Sequence, residues 1–244
     1  MYEGLTPWLL GIAAALIAGM AKTGIPGIGI LAVPLMVSVF PAKQSVGALL
    51  PLLICGDLFA VAYYRKSAQW DRLWELFPCV MIGVILGALA LKFMAGAVFK
   101  PFLGGLILVL LGVELLRQRM GWQNVPNQKW FVITIGALAG FATTVGNVAG
   151  PIMNIYLISK GLYRDHFMGT AAWYFFIFNC AKVPLYIGLG MMTADTVRFD
   201  LAMIPLVVVS ALMGRWVLGR ISQTVFKRVV LVLAAVAALR LLLG

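Results

Sequence analysis

The sequence predicts an all-α integral membrane protein made of two inverted five-segment repeats, with broken or re-entrant helices opening each repeat. Three observations carry that expectation. The 244 residues are 63% hydrophobic and only 11% charged, with mean hydropathy +1.02, which is more apolar surface than a water-soluble core can hide. Several apolar runs reach the ~20 residues that a spanning helix needs. The third observation is a pattern written twice. Gly19-Met20-Ala21-Lys22-Thr23-Gly24-Ile25-Pro26-Gly27-Ile28-Gly29 returns as Gly140-Phe141-Ala142-Thr143-Thr144-Val145-Gly146-Asn147-Val148-Ala149-Gly150-Pro151. Gly19, Ala21, Thr23 and Gly29 recur as Gly140, Ala142, Thr144 and Gly150. The echo continues through Gly47 and Gly169, Asp57 and Asn179, Tyr64 and Tyr186, Pro78 and Pro205, and Gly87 and Gly214. In a membrane protein, paired Gly/Pro-broken segments point to a binding site between the two halves.

Taken in order, the first half divides into apolar segments 7–21, 27–40, 44–64, 73–93 and 99–116. The second half divides into 130–142, 150–159, 166–187, 199–217 and 224–243. Residues 1–119 then form the first repeat, 120–129 a cytoplasmic linker and 130–244 the second repeat, within one membrane domain. At ~1.5 Å per residue, segment 7–21 covers about 22 Å, short of a ~30 Å hydrocarbon core. Segments 27–40, 130–142 and 150–159 are shorter still. The opening pair of each half therefore reads as broken or re-entrant, with non-helical turns at 22–26 and 143–149, and the other six segments read as spanning. Unpaired backbone survives at membrane depth only beside protein or a polar cavity, so the turns should line one. No charged leader with a cleavage site precedes the first apolar run, so no removable signal peptide is expected.

Charge placement sets the orientation. Lys22 and Lys182 read as intramembrane; the other Lys and Arg residues divide twelve against five between the two sides. The richer set comprises Arg65, Lys66, Arg72, Arg117, Arg119, Lys129, Lys160, Arg164, Arg215, Arg220, Lys227 and Arg228. The poorer set is Lys43, Lys92, Lys100, Arg198 and Arg240. The positive-inside bias makes the first side cytoplasmic and puts both termini outside. An odd number of segments per half also makes the repeats antiparallel across the bilayer. The net charge of +11 is thus interfacial, and no nucleic-acid partner is expected. Trp8, Trp70, Trp74, Trp122, Trp130 and Trp216 lie near segment ends, as an interfacial belt requires. Cys55, Cys79 and Cys180 stand alone in apolar runs, without metal-ligand spacing. Neither a metal nor a cofactor is expected.

The breaks carry the candidate chemistry. A helix that restarts after a break turns free N–H donors and a partial positive charge toward the turn, which suits an anion. Gly24, Gly27, Gly29, Gly146 and Gly150 allow close backbone approach, and Pro26 and Pro151 fit a helix start. Thr23, Thr144 and Asn147 add side-chain donors, and Asn154 follows the second break. Close helix packing is the competing reading for these glycines. Lys22 lies inside the first break, where a cation attracts anions; snorkelling to the interface is the alternative. Lys182 lies mid-segment, where a charge costs roughly 2.5–3.5 kcal/mol and needs a partner. Asp57 is an acid in the middle of a spanning segment and is the repeat mate of Asn179, one helical turn from Lys182. It is expected to face Lys182, either as a buried ion pair or as a proton-coupling carboxylate. Tyr156, Tyr64, Tyr186 and His166 are weaker candidates, and Glu114 with Arg117 has the spacing of a surface pair.

At the two breaks, at Ala42-Lys43-Gln44-Ser45-Val46-Gly47, at Asp57 and at Gly169-Thr170-Ala171, the chain resembles the TauE/SafE family of membrane permeases. The likeness covers nearly the whole sequence. It implies a secondary transporter of small sulfur-containing or organic anions, such as sulfite, sulfoacetate, thiosulfate or a carboxylate, in a bacterial inner membrane. With no nucleotide-binding motif, such a carrier would draw on ion gradients, protons among them, or on a partner protein. Two other classes stand beside it. A lipid phosphatase-like enzyme would need a nucleophile or base with supporting acids at the breaks, and the sequence offers no acid or histidine there. A passive anion channel is not distinguished by sequence.

Overall fold

The computed structural model describes residues 4–24, 27–120, 128–162, 164–218 and 223–243. Pro26, most of the linker with Trp122, and Arg220 lie outside the described residues. So do the side chains of Arg164, Arg215, Trp216 and Lys227. Among the described residues the molecule is helical throughout, without strands. The first half contains α1 (Leu5–Thr23), a 3-10 turn (Ile28–Leu31), α2 (Ala32–Val37), α3 (Ala42–Tyr64), α4 (Trp70–Phe93) and α5 (Gly96–Met120). The second contains α6 (Lys129–Gly146), α7 (Gly150–Ser159), α8 (Arg164–Gly188), α9 (Ala194–Leu218) and α10 (Gln223–Leu243).

Six helices are long and apolar enough to cross a membrane: Leu5–Thr23, Ala42–Ser67, Trp70–Phe93, Gly96–Arg119, Lys129–Gly146 and Ala194–Gly214. Two of these revise the sequence expectation. Helix α1 has 19 residues and α6 has 18, because each continues through the threonines and small residues of its break. At 1.5 Å per residue they run about 27–29 Å, close to a full crossing. Only the returning arms are short, α7 and the 3-10 turn with α2. Helices α8 and α10, both expected to span, are missing from the six although they have 25 and 21 residues: Asn179 and Lys182 interrupt the apolar run of α8, and Lys227, Arg228 and Arg240 stand in α10.

Glycines decide how the helices meet. Helix α1 packs along α9 and α6 packs along α4. A methyl carbon on Gly19 would collide with Ser210 and the Val207 carbonyl of α9, and one on Gly140 would collide with the Val80 carbonyl of α4. One on Gly214 would lie 2.6 Å from Thr23 Oγ1, and one on Gly87 would lie 2.8 Å from Thr144 Cβ. Helix α3 packs on α8, where Gly169 approaches the Tyr64 carbonyl, and Gly47 of α3 approaches the Met191 carbonyl in the loop after α8. Lipid supplies no hydrophobic drive between helices, so backbone approach at small residues provides the contact energy. The opposite faces are apolar and exposed, as at Ile82, Ile85, Leu86 and Leu89 of α4.

Candidate functional site

The two breaks come together. The Cβ position of Gly150, first residue of α7, lies 3.7 Å from Gly27 Cα, and that of Gly27 lies 3.8 Å from Asn154 Nδ2. Gly27 has φ +97° and Asn147 φ +55°, the left-handed conformations that turn the chain at each break. Between them lies a cavity of about 80 Å³. A single water needs only ~10–15 Å³ on that measure, so the space suits a small polyatomic ion.

Of the sequence candidates, Lys22, Gly27, Gly29, Asp57, Asn147, Gly150, Pro151, Asn154 and Asn179 are in the cavity wall. Thr23, Gly24, Thr144, Gly146 and Lys182 are not. Their atoms serve packing. The Thr23 hydroxyl donates to the Ala211 carbonyl at 2.8 Å, tying α1 to α9, and that of Thr144 donates to the Gly140 carbonyl at 2.9 Å. The Gly24 amide caps α1 on Met20, and Gly146 faces Leu103 of α5.

The charges pair differently from the sequence expectation. Lys22 Nζ lies 2.8 Å from Asp57 Oδ1, at ion-pair distance but outside hydrogen-bond alignment, and 4.2 Å from the Phe175 ring centroid. Asn179 Nδ2 donates to Asp57 Oδ2 at 2.6 Å. Asp57 is fully buried, while the Lys22 side chain keeps 12% exposure. Gly56 makes room for this contact, since a methyl carbon there would press on the Lys22 stem. An acid therefore stands at the first break after all, delivered from mid-α3.

Lys182 does not bond to the carboxylate. Its Nζ donates to the Thr143 carbonyl at 2.8 Å, to Thr143 Oγ1 at 2.9 Å and to Asn147 Oδ1 at 2.7 Å. An ammonium has three hydrogens, and all three are used. The lysine closes the C-terminal end of α6, where unpaired carbonyls concentrate negative charge. Tyr186 helps by donating to the Thr144 carbonyl at 2.6 Å. Asn147 Nδ2 in turn donates to the Val46 carbonyl of α3 at 2.9 Å, so its amide is spent on holding the break.

Three groups still face the cavity with donors to give. Lys22 is one. Asn154 is 8% exposed and its amide has no hydrogen-bond partner among the described residues. Thr143 Oγ1 accepts from Lys182, which leaves its own hydrogen to donate elsewhere. The N-terminus of α7 opens beside them at Gly150 and Pro151. Sequence reading placed Thr143 in the second break without giving it a role and did not single out Phe175. The signal for Phe175 was its place one turn before Asn179 on α8. Elsewhere, Tyr156 donates to the Arg72 carbonyl at 2.7 Å, His166 contacts the Ser67 carbonyl at 2.9 Å, and Glu114 pairs with Arg117. None of these is in the cavity wall.

No curated protein and no solved structure matches the chain. The family model described as Sulfite exporter TauE/SafE matches residues 10–241. The chain is a multi-pass membrane protein and belongs to the TauE/SafE sulfite exporter family.

Proposed function

We propose that this protein is a secondary carrier for small oxyanions, holding one anion at a time between its two breaks and working by alternating access. Sulfite, sulfonates such as sulfoacetate, thiosulfate and small carboxylates are the candidate class. The observation that carries the reading is the cavity in which Lys22, the Asn154 amide, unpartnered among the described residues, and the Thr143 hydroxyl converge beside the α7 N-terminus. Helix-start amides and a lysine are the donors an anion needs in a low-dielectric site. At formal charges, Lys22, Asp57 and Lys182 sum to +1, which favours an anion over a cation. Family membership supports anion transport in a membrane.

The inverted-repeat reading, with residues 1–119 and 130–244 as its halves, is supported by the exchange of contacts. Gly19 and Thr23 of α1 meet α9 as Gly140 and Thr144 of α6 meet α4. Two hairpins entering from opposite faces and meeting at Gly27 and Gly150 would give each side of the membrane a gate. A bacterial inner membrane, with both termini outside, fits the charge asymmetry.

The test is saturable uptake of labelled anion into proteoliposomes, with thermal-shift screening against the anions named. Saturable flux with counter-flow is expected, and Lys22→Gln should lower binding. Unitary currents without counter-flow would make it a channel, and phosphatase activity on a polyprenyl diphosphate would make it an enzyme. Ligand-independent melting across the anion panel, together with no flux, would sink the anion reading.

A further inference from the structure

The cavity holds more charge than anion binding requires, because Asp57 sits in the wall of a site built for a negative ligand. A carboxylate in that place repels the anion unless it changes state. We propose that Lys22 is shared between Asp57 and the substrate: an arriving monovalent oxyanion draws Lys22 to itself, and Asp57 takes up a proton from solution, so that anion and proton are carried together. This rests on the anion-carrier reading above.

The geometry makes Lys22 the mobile partner and Asp57 the fixed one. Asn179 holds Oδ2 at 2.6 Å, so the carboxylate cannot follow the lysine. Among the described residues Oδ1 has the Lys22 ammonium, 2.8 Å away, as its close partner. The Lys22 stem rises from the last turn of α1 across the Phe175 ring and keeps some exposure, so its head can turn within the cavity. No second cation is ready to replace it. The charged and titratable groups that face Asp57 are Lys22 from α1, and Lys182 with the Cys180 thiol from α8. The other elements packed on α3 bring it no charged partner among the described residues. Lys182 has committed all three hydrogens to Thr143 and Asn147. A bare carboxylate buried beside a bound anion is far costlier than a protonated one, so a proton replaces the lysine.

Charge balance then narrows the substrate. Before binding, Lys22, Asp57 and Lys182 sum to +1. After a monovalent anion and a proton arrive, the sum is again +1, and the loaded site crosses the membrane unchanged in charge. A divalent anion would leave the site one charge more negative. The favoured class is therefore singly charged: a sulfonate with one acidic group, hydrogensulfite or a monocarboxylate.

The experiment is titration calorimetry of the full-length protein in detergent with methanesulfonate, whose charge is fixed. It is run in buffers of different ionisation enthalpy at about pH 6 and about pH 8. Linkage requires uptake of about one proton per anion and binding that tightens as pH falls, by up to about tenfold per unit. Asp57→Asn keeps the Asn179 contact and frees Lys22. It should bind methanesulfonate without proton uptake, independently of pH and more tightly than wild type at the higher pH. Sulfate should bind more weakly than methanesulfonate. Methanesulfonate binding without proton uptake by the wild type overturns the proposal and leaves the carrier reading standing. Proton uptake that persists in Asp57→Asn also overturns it. A folded wild type that binds no anion in the panel removes the carrier reading and this inference with it. If Asp57→Asn does not fold, the wild-type calorimetry decides alone.

Discussion

Lys22 Nζ lies 2.8 Å from Asp57 Oδ1, so the broken end of α1 is joined by charge to the middle of α3 inside the cavity wall. The contact exists because Gly56 has no side chain: α1 can approach α3 there closely enough for the lysine stem to lie across it. Asn179 completes the arrangement from α8, so three helices meet at one carboxylate.

Removing one member of this pair should cost more than removing both. Asp57→Leu leaves Lys22 without its counter-charge, and breaking a buried pair costs about 3–5 kcal/mol, toward the lower end here because Lys22 keeps partial exposure. Lys22→Met with Asp57→Leu should regain most of the lost stability, since apolar replacements of buried pairs are often neutral. Melting temperatures of the two singles and the double give the cycle. A double variant melting as low as Asp57→Leu alone would mean that the two side chains are not coupled.

The glycines divide into packing and site positions, and substitution should separate them. Alanine at Gly19 or Gly140 places a methyl against backbone of α9 or α4, an overpacking that costs about 1–3 kcal/mol or more and lowers the yield of folded protein in both halves alike. Alanine at Gly150 meets only Gly27 Cα at 3.7 Å and should fold normally. Valine at Gly150 should stay folded and abolish anion flux by filling the space beside the α7 N-terminus. Normal flux in Gly150→Val would return this glycine to packing.

The breaks were legible because glycine and proline spacing survives as sequence. The lengths were not. Thr23, Gly24, Thr144 and Gly146 look like loop residues by hydropathy, yet each closes a helix end or a helix crossing, so α1 and α6 run on to nearly full span. The partner of Asp57 was misread for a related reason. Repeat symmetry and helical spacing put Lys182 near it, but those rules ignore the carbonyls that α6 leaves bare at its C-terminus, and these take the Lys182 ammonium first. Asn154 was found from its position after the break. Phe175 was missed, as an aromatic in an apolar helix carries no sequence mark of facing a cation.

Orientation is open to chemical labelling. Single cysteines at Lys66 and Lys129, in an otherwise cysteine-free background, should react with an impermeant maleimide only from the cytoplasmic side. Cysteines at Thr193 and near the N-terminus should react only from outside. All four positions depend on the positive-inside count, which reads the first pair as inside. Labelling of Thr193 and Lys129 from one side would break the antiparallel arrangement of the two halves.

Lys182 separates a structural cation from a ligand-binding one. Lys182→Met fills the same apolar surroundings but strips a donor from the Thr143 carbonyl, Thr143 Oγ1 and Asn147 Oδ1. A buried acceptor left bare costs about 1–3 kcal/mol. Loss of a cation at the α6 C-terminus adds a further ~0.3–1 kcal/mol. The two are not additive, because Tyr186 still serves the Thr144 carbonyl and Asn147 can relax. A melting temperature several degrees lower is expected, with a Gly150–Asn154 segment that exchanges its amides faster once Asn147 loosens. Anion affinity should fall less than in Lys22→Gln, since Lys182 stands behind the cavity wall. Combined with Asp57→Leu, the stability losses should come closer to adding than in the Lys22 cycle, because Lys182 makes no hydrogen bond to the carboxylate and is coupled to it only through its field. A strong rescue of Asp57→Leu by Lys182→Met would restore the pairing expected from sequence and displace Lys22 as the counter-ion of Asp57.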